Sequence, residues 1–123
     1  MSFIRSDAVG TVLHTAINGY ALRQEVLADN IANVDTPGFH ATAVDFEGAL
    51  AGAINAGRYD DGHPPTGLAA TMTPSTSPEG VNGNNVDLRQ ETMAAIQTQF
   101  QFQMMGRAIS DRHGLLSTVA GAM

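Results

Sequence analysis

The chain has 123 residues with no cysteine, tryptophan or lysine, and 12 acidic residues against 6 arginines give a formal charge of −6 with histidine neutral. That length holds one small domain, the acid excess repels a phosphate backbone and argues against nucleic acid, and the lack of cysteine removes disulfides, thiolate nucleophiles and thiolate metal sites. No run approaches the roughly 18–20 consecutive apolar residues of a membrane span, and the opening residues Met1 to Asp7 lack the apolar core of a cleaved secretory signal.

Hydrophobic residues make up 43% of the chain, but aromatics are only 6% and there are 13 glycines, so a thin core completed by neighbouring molecules is expected. Val9, Leu13, Ala16 or Ile17, Tyr20, Leu27 and Ile31 recur mostly at helical intervals, which predicts one long amphipathic helix from Asp7 to about Asn33. Ser6 or Asp7 can cap its start. Leu13, Tyr20, Leu27 and Val34 stand seven apart, the spacing of a coiled-coil seam, whose width Arg23, Gln24 and Asn30 interrupt.

Thr36-Pro37-Gly38-Phe39 ends that helix. Proline presets the second position of a turn and glycine accepts the positive φ that a type II turn needs at the third. Asn33 and Asp35 can bond nearby backbone and reinforce the stop. Phe39 to Val44 alternates loosely, and Asp45 is placed to cap a brief helix through Phe46, Leu50 and Ile54.

Gly57 to Asn85 holds four of the five prolines and five glycines. It has neither a strand nor a helix period and is expected to be a flexible or irregular connector. A second long helix is expected from Asp87, where Asp87 and Gln90 have the spacing of a capping box. Met93, Ile96, Phe100 and Met104 form one apolar stripe along it. Phe102, Met105, Ile109, Leu116 and Val119 form another, rotated well away, and two apolar faces call for two sets of neighbours. One structural unit therefore divides into an N-terminal helix (1–35), a turn with a short extended or helical segment (36–56), the connector (57–85) and a C-terminal helix (86–123). Gly10, Gly19, Gly106 and Gly114 interrupt the two helices, either by tolerance or because another element approaches closely.

Reactive chemistry is thinly supported. His14, His40, His63 and His113 are 26, 23 and 50 residues apart, far from the spacing of a metal pair. Asp60, Asp61 and His63 could hold a metal, but they adjoin Pro64-Pro65 and fit a solvated loop better. Glu25 and Asp29 share a helix face without a cleft to work in. There is no phosphate-binding loop, dinucleotide fingerprint or nucleophile elbow. The expectation is a protein that is not an enzyme and carries no cofactor.

Leu27 to Leu50, LADNIANVDTPGFHATAVDFEGAL, resembles the N-terminal signature of bacterial flagellar axial proteins: a helix ending in Asn-Ile-Ala-Asn, then a Thr-Pro-Gly-aromatic turn. Asn82 to Gln103, NGNNVDLRQETMAAIQTQFQFQ, is similar to that family's lead into the last helix. Together the two blocks cover 46 of 123 residues, and the short length resembles the proximal-rod members. His40 stands where Lys or Arg is common in the family.

The resemblance implies a mainly α subunit whose long terminal helices pair as a coiled-coil hairpin. It also implies export without a cleaved signal and polymerisation in the periplasmic rod of the basal body, where the subunit carries torque. The implied partners are copies of itself, other rod proteins, and inner-ring and export-gate components, without membrane insertion. Asn30, Asn33, Thr36, Pro37, Gly38 and Phe39 would build the family turn. Leu13, Tyr20, Leu27, Ile31, Met93, Ile96, Phe100 and Met104 would pair the helices, while Phe102, Met105, Ile109 and Leu116 would bind adjacent subunits in open, head-to-tail contacts. A free monomer would then be partly disordered at both ends. Three other readings stay open: another short rod protein of the same family, a soluble exported helical hairpin that binds a partner, and a small enzyme centred on Asp60, Asp61 and His63.

Overall fold

The computed structural model describes residues 2–65, 68 and 70–122, with side chains outside 2–7, 119 and 122. Its elements run α1 (Ser2–Ala32), β1 (Thr42–Asp45), α2 (Glu47–Asn55), β2 (Thr71–Pro74) and α3 (Leu88–Ala122). Among these, α1 and α3 dominate and make the most extensive contact in the molecule. Four contacts fix their relative direction. The position of a Cβ on Gly10 lies 3.6 Å from Arg112, and one on Gly106 lies 3.8 Å from Ile17. Gln24 hydrogen-bonds Gln99, and Asn30 bonds Glu91. Residue numbers rise along α1 as they fall along α3, so the helices are antiparallel and stay in register over their length.

Helix α1 starts at Ser2, so Ser6 and Asp7 lie within it and not at its cap. The end is set as expected: Phe39 N–H donates to Thr36 O at 3.2 Å, and Gly38 takes φ +74°, the left-handed value that closes a type II turn. Asp45 does not cap α2; Phe46 occupies the N-cap without a side-chain bond. Half of the capping box is present at α3. Gln90 N–H donates to Asp87 Oδ1 at 3.2 Å, whereas the Gln90 side chain accepts from Ser77 at 3.3 Å.

The expected irregular connector is more ordered than its composition indicates. β2 pairs antiparallel with β1, Thr42 opposite Pro74 and Asp45 opposite Thr71. All four β2 residues are exposed, so no apolar alternation marks the strand, and Pro74 sits at its end, where a missing N–H is tolerated. Tyr59 is buried, and its hydroxyl donates to Thr15 Oγ1 at 3.0 Å. Thr11 Oγ1 in turn donates to Gly62 O at 2.8 Å. Two hydroxyls on one turn of α1 thus hold down the start of the connector.

The buried core lies between α1, β1 and α2, and consists of Ala16, Val26, Val44, Phe46, Leu50, Ala53 and Tyr59. Gly19 lets Phe46 into this core, because a Cβ there would sit 2.7 Å from its ring. Tyr20 meets the same ring edge-on, centroids 5.0 Å apart. Above it the Arg23 guanidinium lies 5.0 Å from the Phe46 centroid, donates to Val44 O at 2.7 Å and pairs with Glu47. Arg23, which interrupts the apolar seam of α1, therefore fastens β1 and α2 to it.

Candidate functional site

Two features meet at the turn end of the hairpin: a clasp of asparagines around the Thr-Pro-Gly turn, and an uncovered face of α3. Asn30 has no exposed surface. Its Nδ2 donates to Thr42 O at 2.8 Å and to Glu91 Oε2 at 3.1 Å, and its Oδ1 accepts from Thr42 N–H at 3.2 Å. One amide thus ties α1, β1 and α3 together. Asn33 Nδ2 donates to Asp29 O at 2.8 Å and its Oδ1 accepts from Thr36 Oγ1 at 3.0 Å, which turns the chain out of the helix.

The turn is then gripped by residues nearly fifty positions later. Asn84 Nδ2 donates to both Asn33 O and Thr36 O at 2.8 Å. Gly38 N–H donates to Asn82 O at 2.9 Å, and Asn85 N–H to Phe39 O at 3.2 Å. Asn85 Oδ1 accepts from Ala41 N–H at 2.7 Å. Gly83, at φ +78°, packs against Gly38, where a Cβ would come 3.5 Å from the Gly38 Cα. His40 and Glu79 add an exposed ion pair of 2.7 Å, charged when the imidazole is protonated.

Asn30, Asn33, Thr36, Gly38 and Phe39 are thus brought together, with Pro37 exposed between them. Asn82, Asn84 and Asn85, expected only as a lead into the last helix, are the other half of the turn. Three amides around one glycine, directly before a capped helix, were the signal.

The two stripes of α3 are exchanged relative to expectation. Met93, Ile96, Phe100 and Met104 were expected to pair with α1 but are 65%, 67%, 64% and 50% exposed. The side of α3 toward α1 carries Glu91, Ala95, Thr98, Phe102, Met105 and Ile109 at alternating four- and three-residue steps, buried or half-buried. Phe102, Met105 and Ile109, expected at a subunit interface, are therefore half-covered within the chain, and Met105 packs on the core. The reason is the chemistry of the inner seam. Its first half is built from Glu91 and Thr98, which a hydrophobicity pattern assigns to solvent. Leu116 remains 49% exposed, and Val119 lies outside the described side chains. Along α1, Leu27 is buried while Leu13, Tyr20 and Ile31 are half-buried.

Among the described residues no reactive constellation emerges. Asp61 bonds His63 locally, its Oδ1 accepting from His63 N–H at 2.9 Å. Among the described residues no group of three or more His, Asp or Glu is placed to hold a metal ion. A groove of about 330 Å³ between α1 and α2 is lined by Thr15, Asn18, Leu22, Phe46 and other residues without a titratable group. No described helix is long and apolar enough to cross a membrane.

A sequence profile for "Flagella basal body rod protein" matches residues 12–40, the last two thirds of α1 and the turn after it. The chain is 34% identical over 119 residues to "Flagellar basal body rod protein FlgB" of Salmonella typhimurium, covering 81% of this chain and 83% of that one. The protein of the same name from Escherichia coli is 35% identical, covering 85% and 86%, and that from Bacillus subtilis 29%, covering 89% and 92%. The chain belongs to the flagellar basal body rod proteins. Within that family it is of the FlgB type.

Proposed function

We propose that the chain is a structural subunit of the proximal rod, assembling with copies of itself and other rod proteins, against inner-ring and export-gate components, to transmit torque. The proposal includes pairing of α1 and α3 as a coiled coil, export without a cleaved signal, and completion of folding on assembly. Family membership supports the role. The observation that carries the assembly part is the apolar stripe Met93, Ile96, Phe100 and Met104, half or more exposed on α3. Exposed apolar surface of that extent marks an interaction face.

The test is an in-frame deletion in the source organism, complemented from a plasmid and scored for swimming and for basal-body structure by electron microscopy. Loss of rod and filament with the inner ring retained is expected. Normal flagella would sink the proposal and bring forward the soluble helical hairpin.

A further inference from the structure

We propose that the exposed stripe of α3 docks head-to-tail into a groove on a second copy of this chain, between α1 and β2. The inference rests on the rod-subunit reading and adds which two faces meet. The stripe from Met93 to Met104 spans about 16 Å of helix and carries no charge of its own. Arg89 stands one turn before it and Arg107 one turn beyond. The groove has a volume of about 530 Å³, with Leu22, Val26, Ala28 and Met72 as its apolar lining and Glu25 and Asp29 as acidic lining. Met72 is 56% exposed, and Glu25, Ala28 and Asp29 are exposed on α1.

Charge favours the pairing. Laying two α3 stripes antiparallel against each other would set Arg89 of one copy beside Arg107 of the other, a like-charge contact that Asp111, 4.0 Å from Arg107, offsets only in part. Laying the stripe in the α1–β2 groove brings Arg89 to Glu25 and Asp29. The two faces share no residue, so one copy can donate its stripe and accept another at the same time. A contact of that kind does not close on itself and extends as a filament or helix.

The absence of cysteine makes the test direct. Full-length Phe100→Cys protein is mixed with full-length Ala28→Cys protein and treated with a short thiol–thiol cross-linker. The same two variants are also co-expressed in cells and cross-linked in isolated basal bodies. The expected result is a mixed dimer several-fold above both homodimers and above a Phe100→Cys with Ala51→Cys control, Ala51 being exposed on α2. Adding Arg89→Glu to the first chain should remove most of the mixed product, and Asp29→Arg in the second should restore it. A dominant Phe100→Cys homodimer, a yield no higher than control in both settings, or cross-linking only to a different polypeptide would overturn the pairing. Each of those results is compatible with loss of the rod in the deletion strain, so the pairing can fail while the rod reading stands.

Discussion

The side-chain amide of Asn30, with no exposed surface, donates to the Glu91 carboxylate at 3.1 Å across 61 residues of chain. It sits where an unbroken coiled-coil seam would carry a leucine. The same amide makes both bonds to the Thr42 backbone, so three elements depend on it. Replacing it by leucine keeps the branched shape and the number of side-chain heavy atoms but adds bulk and strands Glu91 and the Thr42 N–H and C=O. The cost of leaving buried groups unpaired is about 3 kcal/mol or more. Thermal or denaturant unfolding of Asn30→Leu should show that loss, and Glu91→Gln, which still offers an acceptor oxygen, should cost about 1 kcal/mol. Equal stability of Asn30→Leu and the parent would refute the role of the amide.

Gly38 separates conformation from space. Nothing lies within 4 Å of a Cβ placed there, yet φ is +74°. Gly38→Val should therefore destabilise by roughly 1–2 kcal/mol or more, while Gly38→Asn, which tolerates the left-handed region, should stay near the parent. Swimming of a complemented deletion strain provides a second readout; indistinguishable behaviour of the Val and Asn variants would argue against a required positive φ.

The glycines inside the helices divide by what they face. A Cβ on Gly19 would strike the Phe46 ring at 2.7 Å, whereas one on Gly106 would meet Ile17 at an ordinary 3.8 Å. Gly19→Ala should cost about 1–3 kcal/mol through displacement of the ring. Gly106→Ala should instead gain up to about 1 kcal/mol from helix propensity. A melting temperature that rises for both variants would contradict the close approach at Gly19.

Tyr59 anchors the connector through one hydroxyl bond to Thr15. Tyr59→Phe keeps the ring and should lower stability by about 1 kcal/mol, with faster amide exchange confined to the segment around Gly62. Unchanged exchange there would mean that ring burial alone holds the segment.

The long helices, the type II turn and the start of α3 were all legible in the sequence, because periodicity, Pro-Gly and Asp caps act locally. The faces of α3 were not. Apolar patterning ranks Met93, Ile96 and Phe100 above Glu91 and Thr98 as pairing residues, but Glu91 is satisfied by Asn30, and Thr98 is 2% exposed. A buried polar contact whose partners lie 61 residues apart leaves no periodic trace. β2 escaped for a related reason: a strand with both faces in water shows no alternation. The turn motif was found from its own residues, whereas its asparagine clasp required knowing that the chain returns to it.

The antiparallel register of α1 and α3 joins opposite ends of the chain, and this makes the fold a test of whole synthesis. A polypeptide halted before Leu88 can still close Phe46 and Tyr59 onto α1, contacts of modest loop length. It leaves Asn30 without Glu91 and Gln24 without Gln99. It also lacks the uncharged stripe altogether. An incomplete chain could therefore neither finish its own hairpin nor, on the pairing proposed above, dock onto a neighbour through α3.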